Sequence, residues 1–348
     1  MESTRIIKCV AGAGKTTYSL KYLASHQNGL YLAFTNSVVN DIASKGFLAK
    51  TIDSFFSSYI IPKFIHVIPI IKNGTTIEYI DKNNIPQYRL GVMTIHINPA
   101  TGGISNQKKP TSFSISTEHK MLYEMRGGVK NLQNVKYIFG SDKLRLTDSL
   151  RRELSLYIIN HYPKQLEEIL SKRFSYIIID EAQDLSDYKE KFAQLLSSSK
   201  IPTIILGDDN QNIMGGSGNW FELQKATSIK LGSLRSPESI CKWIRENLSI
   251  EIYGVKGVGG QFKKITNAEI LQYDDGKRVL LYHANNSKNI SNAISAWSGP
   301  KNTIKKAKGS TIDRDIVIIG NKMNKKNLYV ALTRTKGNAY CVPTLQDK

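Results

Sequence analysis

Residue types able to do chemistry come together first in Cys9-Val10-Ala11-Gly12-Ala13-Gly14-Lys15-Thr16-Thr17. A strand pattern over Arg5–Val10 precedes this run and a helical pattern, Tyr18 to Ser25, follows it. Gly12 and Gly14 let backbone N–H groups approach phosphate oxygens closely, and the N-terminus of the helix adds the positive end of its dipole. Gly12, Ala13, Gly14, Lys15, Thr16 and Thr17 therefore read as a phosphate cradle, with Lys15 bridging the β- and γ-phosphates of a nucleoside triphosphate and Thr16 offering its hydroxyl to Mg2+. The general pattern wants Gly where Cys9 stands; the core Gly-x-Gly-Lys-Thr is intact. A second cluster, Tyr176-Ile177-Ile178-Ile179-Asp180-Glu181-Ala182-Gln183-Asp184, puts an acid at the end of an apolar strand. Asp180 is expected to reach the water shell of the metal, and Glu181 to orient and deprotonate an attacking water. A strand running into an acidic helix cap produces the same letters, and the phosphate cradle elsewhere in the chain favours the catalytic reading.

Positioning these groups requires strands that end where the chemistry begins. Buried-strand patterns fall at Arg5–Val10, Leu30–Thr35, Tyr176–Asp180 and Thr203–Gly207, and again at Val279–His283 and Asp315–Ile319. The first four are each followed by a turn and a helical pattern, the signature of βα units and a parallel sheet. Helices are expected around Glu238–Asn247 and Lys325–Leu332. Residues 61–147, rich in Asn, Gly, Ser, Thr and Pro, lack this periodicity and read as an insertion.

Charge follows the same division. The 348 residues carry 48 Lys and Arg against 29 Asp and Glu, a formal net charge of +19. Residues 61–147 hold 12 basic and 5 acidic side chains, residues 231–348 hold 20 and 9, and the remainder 16 and 15. The basic excess thus avoids the first α/β segment, and a polyanion would be gripped by the other two. Three cysteines far apart do not make a disulfide framework or a zinc module. The most apolar stretch, Phe64 to Ile71, carries His66 and Pro69 and falls short of the ~20 residues of a membrane span. No signal peptide is visible in Met1 to Lys8, so the expected address is intracellular, cytoplasm or nucleus.

With both motifs in place, the chain from Cys9 to about Val342 resembles a superfamily 1 helicase of the UvrD/Rep type, and the motifs occur in that family's order. Asp180-Glu181-Ala182-Gln183-Asp184 matches its Walker B motif. Ala33-Phe34-Thr35-Asn36-Ser37 looks like motif Ia, and Thr51-Ile52-Asp53-Ser54-Phe55 like motif Ib. Gly207-Asp208-Asp209-Asn210-Gln211-Asn212-Ile213 looks like motif III and Leu234-Arg235-Ser236 like motif IV. Lys308-Gly309-Ser310-Thr311-Ile312-Asp313 looks like motif V, nearer in wording to RecD-like and viral branches, and Tyr329-Val330-Ala331-Leu332-Thr333-Arg334-Thr335-Lys336 like motif VI.

The resemblance implies an α/β fold of two RecA-like P-loop domains with parallel sheets. Residues 1–60 plus 148–230 would be the first, 231–348 the second, and 61–147 an accessory domain inserted in the first. It also implies roles: Gln211 sensing the γ-phosphate, Arg235 and Arg334 as arginines that stabilise its transfer, and Gly309 at the nucleotide. Phe34, Thr35, Asn36, Thr51, Ser54, Lys308 and Thr311 would line a single-strand track, with Phe34 stacking on a base. The implied activity is an NTP-dependent, by preference ATP-dependent, helicase or translocase, with Mg2+ as cofactor and single-stranded DNA, or alternatively RNA, as partner to a monomer. The reduced size would suit a virus or mobile element. A switch or assembly factor that hydrolyses NTP without separating strands is the second reading; a small-molecule phosphotransferase is opposed by the net charge and by Arg334.

Three departures from the family matter. The adenine-reading Gln segment before the loop is missing, and Leu234 stands where the family stacks a Tyr on the base, so nucleotide preference is expected to be relaxed. After motif III, Met214-Gly215-Gly216-Ser217-Gly218-Asn219-Trp220 replaces a base-stacking Trp-Arg element, with Trp220 either a substitute or core. Lys301, Lys305, Lys306 and Lys308 form a basic cluster before motif V, either on backbone phosphates or on a solvated loop.

Overall fold

A computed structural model of the chain describes residues 4–64, 75–79, 86–90, 93–96, 148–213, 218–255, 257, 259–283, 288–320 and 323–342. The architecture is mixed α/β with parallel sheets. Two compact units divide the chain: Met1–Gly29, Tyr176–Ser186 and Pro202–Lys348 form one, Leu30–Ser175 and Asp187–Ile201 the other.

In the first unit the strand Arg5–Cys9 lies parallel between Thr203–Gly207 and Ser228–Lys230. Tyr176–Ile179 lies parallel on the other side of Thr203–Gly207. Every residue of Tyr176–Ile179 and of Thr203–Gly207 is buried, which is why these strands read as unbroken apolar runs and not as alternating ones. Register aligns Lys8 with Gly207 and Ile179 with Ile205. The carboxyl ends of three strands therefore stop side by side, just before Val10, Asp180 and Asp208, where open parallel sheets bind ligands.

A second sheet of the same unit is ordered Phe262–Lys264, Ala339–Cys341, Ile316–Ile319, Val279–Tyr282, Lys301–Thr303, all parallel. One face packs Leu281, Ile316 and Ile318 against Ile240 and Ile244 of the helix Glu238–Leu248 and Leu328 of the helix Lys325–Leu332. Val10 and Ala11 belong to that same core cluster. The other face packs Leu280, Val317 and Ile319 with Ile290 and Trp297. The helix Lys325–Leu332 starts at Asn324, whose side chain accepts the Asn327 N–H at 2.7 Å, and it is buried from Asn327 to its end. Because Val10 and Ala11 sit in a core built by residues 240–332, the first unit joins segments that the sequence boundaries at 60, 148 and 231 would separate.

In the second unit the strand Gly29–Ala33 runs parallel to Ala49–Thr51. Phe55, Phe56 and Phe192 are fully buried. The Phe56 ring meets Phe192 edge-on at 5.0 Å and Tyr188 at 5.0 Å, the arrangement favoured by aromatic quadrupoles. Most of the expected insertion at 61–147 lies outside the described residues; within it Thr75–Tyr79, Pro86–Leu90 and Met93–His96 pair antiparallel. Among the described residues no helix is long and apolar enough to cross a membrane.

The strands expected from apolar runs agree with the structure to within two residues. Among those not read, Phe262–Lys264, Lys301–Thr303 and Ala339–Cys341 are three residues long and mostly polar or mixed. Truncating the aromatic cluster by Phe192→Ala should cost about 3–5 kcal/mol, read as a lower urea midpoint with fluorescence and circular dichroism as probes.

Candidate nucleotide site

The loop after Arg5–Cys9 is held by its backbone. Val10 N–H donates to Lys230 O at 2.9 Å, Ala13 N–H to Val10 O at 3.1 Å, and Gly12 O accepts Leu234 N–H at 2.9 Å. Gly12 and Gly14 have φ of 74° and 78°, the left-handed region open to glycine. A Cβ on Gly12 would lie 2.7 Å from Ser233 Oγ and 2.8 Å from Arg235 Cβ. The helix Lys15–Ser25 starts at Gly14 with no side-chain cap, so its first amides, which have no intrahelical partner, stay available to an anion.

Around this loop lies a cavity of about 410 Å3. Gly12 to Thr17 form one wall; Glu181 and Gln211 come from the neighbouring strand ends; Arg235, Gly309, Thr311 and Arg334 face them. The structure thus brings together every residue expected at the phosphates, with Leu234 at the rim. Asp180 is buried at its strand end and accepts the Glu181 N–H at 2.8 Å. Thr16 and Asp180 offer hard oxygen donors of the kind magnesium takes. Among the described residues no three His, Cys, Asp or Glu side chains form a cage for a metal by themselves.

Glu181 sits at φ 54°, ψ 42°, a left-handed conformation costly for a side chain with a Cβ and common at functional sites. Its carboxylate lies 3.6 Å from Lys15 Nζ and accepts Gln183 Nε2 at 2.6 Å. Burial pushes this carboxyl up, but Lys15, Gln183, Lys308 and Arg334 outweigh it and hold it well below the usual glutamate range. Burial pulls Lys15 down, and Glu181, Asp180 and Asp208 more than restore its charge.

The arginines are less well compensated. Arg334 is buried, with Nε donating to Val330 O at 3.0 Å and NH2 to Gln211 Oε1 at 3.2 Å. Arg235 donates through NH1 to Thr311 Oγ1 at 3.2 Å, while its Nε is buried and has no partner. Burial first, and then Arg334, disfavour the charged form of Arg235. Two guanidiniums, one with an orphaned donor, and a lysine around a single cavity make a site that an anion with several oxygens would complete.

Asp184 and Lys308 were not expected to meet. Lys308 Nζ binds both carboxylate oxygens of Asp184, Oδ2 at 2.6 Å, and donates to Gln211 O at 2.6 Å. Its ammonium, read from the sequence as a nucleic-acid contact, is committed inside the unit. Burial raises the Asp184 carboxyl even against the pull of Lys308. Thr311, also read as a nucleic-acid residue, lies on this same cavity against Arg235. Lys301, Lys305 and Lys306 of the same basic cluster are exposed, and Lys301 donates to Ile294 O at 2.8 Å. Trp220 is half-buried at the head of a short helix.

The remaining expected nucleic-acid residues lie in the second unit. Ala33 pairs with Thr51, so Phe34, Thr35 and Asn36 follow the end of one strand beside Thr51, which ends the next, with Ser54 in the short helix after it. Thr35 and Thr51 use their hydroxyls as helix caps, Thr51 accepting the Ser54 N–H at 3.1 Å. Asn36 and Ser54 are exposed, and Phe34 is half-buried with Lys189 Nζ 5.2 Å from its ring centre. Asp53 beneath them binds Lys189 at 2.7 Å, Arg151 at 3.2 Å and the Tyr188 hydroxyl. Burial raises this carboxyl, but the bonds from Lys189 and Tyr188 carry it below the usual aspartate range.

Sequence reasoning assigned no role to Gln183, Asp184, Asp208 or Tyr329, although all four stand within the motif strings. Asp208 is buried, accepts Gln211 Nε2 at 2.8 Å, and is raised by burial against the pull of Lys15 and its hydrogen bonds. The only signal in the sequence was their place within motif strings already marked by chemistry.

Residues 107–218 match the family model of the UvrD/REP helicase N-terminal domain. The match takes in Asp180 to Asp184, and the resemblance read from the motifs is met there. Among solved structures, the chain is similar to the PRRSV helicase, at 14% identity and a TM-score of 0.44, covering 97% of this chain and 52% of that one. It is similar to Arterivirus nonstructural protein 10 (helicase) at 13% identity and a TM-score of 0.47, covering 97% and 59%. The complex of that Arterivirus protein with DNA matches at 12% identity and a TM-score of 0.44, covering 97% and 60%. The chain therefore spans between 52% and 60% of the length of these proteins. No curated protein matches the sequence.

Lys308→Ala strands the Asp184 carboxylate and should cost about 3–5 kcal/mol, whereas Lys308→Met with Asp184→Leu should recover most of that; urea unfolding of the three proteins measures both.

Proposed function

We propose that the protein is an NTP-hydrolysing motor on single-stranded nucleic acid, a helicase or translocase whose nucleotide site lies between two RecA-like halves. The observation that carries this is the meeting of Lys15, Glu181, Gln211, Arg235 and Arg334 around one cavity of about 410 Å3, with the Arg235 Nε buried and unpartnered. Gly12 to Thr17 and Lys15 bind and orient the phosphate chain. A Mg2+ ion held by Thr16 and Asp180 would supply charge neutralisation at the β- and γ-phosphates. Glu181, kept ionised by its neighbours, takes the proton of the water whose oxygen attacks the γ-phosphorus as the bond to the β-phosphate oxygen breaks. Gln211 and the two arginines meet the charge that develops on the transferred group.

Arg235, Gly309 and Arg334 come from sequence segments after residue 230, whereas Lys15 and Glu181 come from earlier ones. Losing the γ-phosphate removes the anion both sets share, which is how hydrolysis would be turned into relative movement of two grips on a strand. Phe34, Thr35, Asn36, Thr51 and Ser54 are the proposed strand contacts. The second reading, an NTPase switch that does not separate strands, is favoured by Lys308 being tied to Asp184 inside the protein.

The test is NTP hydrolysis with and without single-stranded DNA and RNA. Stimulation by one polymer is expected, with Lys15→Ala inactive and Arg334→Ala lowered by about 10³-fold in kcat. Glu181→Gln should bind nucleotide without turning it over. Hydrolysis indifferent to both polymers would overturn the motor reading, and stimulated hydrolysis without strand displacement would select the switch.

A further inference from the structure

Tyr329 has no part in the phosphate chemistry set out above, yet its side chain is wholly buried and its hydroxyl is fully used. That hydroxyl accepts the Ala11 N–H at 2.9 Å and donates to Asp208 Oδ2 at 2.9 Å. An amide N–H can only donate and a phenol has one proton to give, so the phenol accepts from Ala11 and its own proton goes to Asp208. Asp208 Oδ2 also accepts Gln211 Nε2 at 2.8 Å, which turns the Gln211 carbonyl away; Gln211 Oε1 accepts Arg334 NH2 at 3.2 Å. Arg334 Nε then returns to Val330 O at 3.0 Å, on the helix that carries Tyr329. The series closes on itself: loop amide, phenol, carboxylate, carboxamide, guanidinium, helix.

We infer that Tyr329 is a positioning residue for hydrolysis, whose hydroxyl ties the start of the phosphate loop to Asp208 and, through Asp208, sets the Gln211 carboxamide and Arg334. The inference rests on the hydrolytic reading of the site and assigns the group that keeps its two sides in register. Ala11 precedes Gly12, and its amide is spent on Tyr329 rather than on phosphate. The loop is therefore fixed at its root while its later amides face the cavity. Packing alone does not account for the residue, because phenylalanine would fill nearly the same volume. It would leave the Ala11 N–H buried without a partner and free the Asp208 oxygen to recruit Gln211 differently.

The experiment is a double-mutant cycle on the full chain with the activating polymer present. Tyr329→Phe is expected to lower kcat by about tenfold, the change that one buried hydrogen bond of ordinary strength carries. Affinity for a nonhydrolysable triphosphate should change less than kcat does. In the Gln211→Ala background the same substitution should lower kcat far less, since the group it positions is gone. Equal losses in both backgrounds, or no loss in the first, would overturn the inference while leaving the hydrolytic reading intact. A wild-type protein that hydrolyses no nucleoside triphosphate would overturn both. Should Tyr329→Phe prove too unstable to assay, Asp208→Asn with Gln211→Ala forms the same cycle, with the same expected and overturning results.

Discussion

A cation taken out of water costs several kcal/mol unless an anion meets it, and the first unit gathers four around one loop. Lys308 is matched at once by Asp184, and Lys15 in part by Glu181. Arg235 and Arg334 are matched mainly by neutral oxygens, from Thr311, Gln211 and Val330. This inequality orders the site. The matched pairs act as struts that hold strand ends and loops in place, whereas the unmatched guanidiniums store a demand for negative charge that only a ligand can answer. The same side chains that would be destabilising in an empty core become binding energy once an oxyanion chain enters.

The sheet makes this arrangement cheap to build. Parallel strands in register end at one level, so an amide-rich loop, the Glu181 carboxylate and the Gln211 carboxamide arrive together without long excursions of the chain. The residues that bring the arginines to them are apolar: Val10 and Ala11 share a core with Ile316, Ile318 and Leu328. Hydrophobic burial therefore does the positioning, and hydrogen bonds do the selecting of one arrangement within it.

Much of this was legible in the sequence because the physics is local. Gly12, Gly14 and Lys15 announce themselves by spacing, and the runs Tyr176–Ile179, Thr203–Gly207 and Ile316–Ile319 by being apolar throughout. Short polar strands such as Lys301–Thr303 carry no period to detect. What stayed hidden is what depends on residues distant in sequence. Lys308 belongs to a basic cluster in the sequence, and only folding sets its ammonium against Asp184, 124 positions away. Tyr329 and Ala11 are 318 apart, and nothing in either segment names the other. Thr311 illustrates the same point, since a hydroxyl can face a strand or a nucleotide with no change in its local pattern.

Glu181 has one further consequence. A left-handed backbone at a residue with a Cβ costs about 1–3 kcal/mol, and here that cost falls on the carboxylate beside Lys15. Glycine would relieve it, and asparagine in part, yet neither offers a base. Selection for heat resistance alone would therefore favour exchanging this glutamate, at the expense of the base that the proposed hydrolysis needs. In the proposed hydrolysis a strained backbone position and the group kept for turnover are the same residue, so durability and work would trade against each other there.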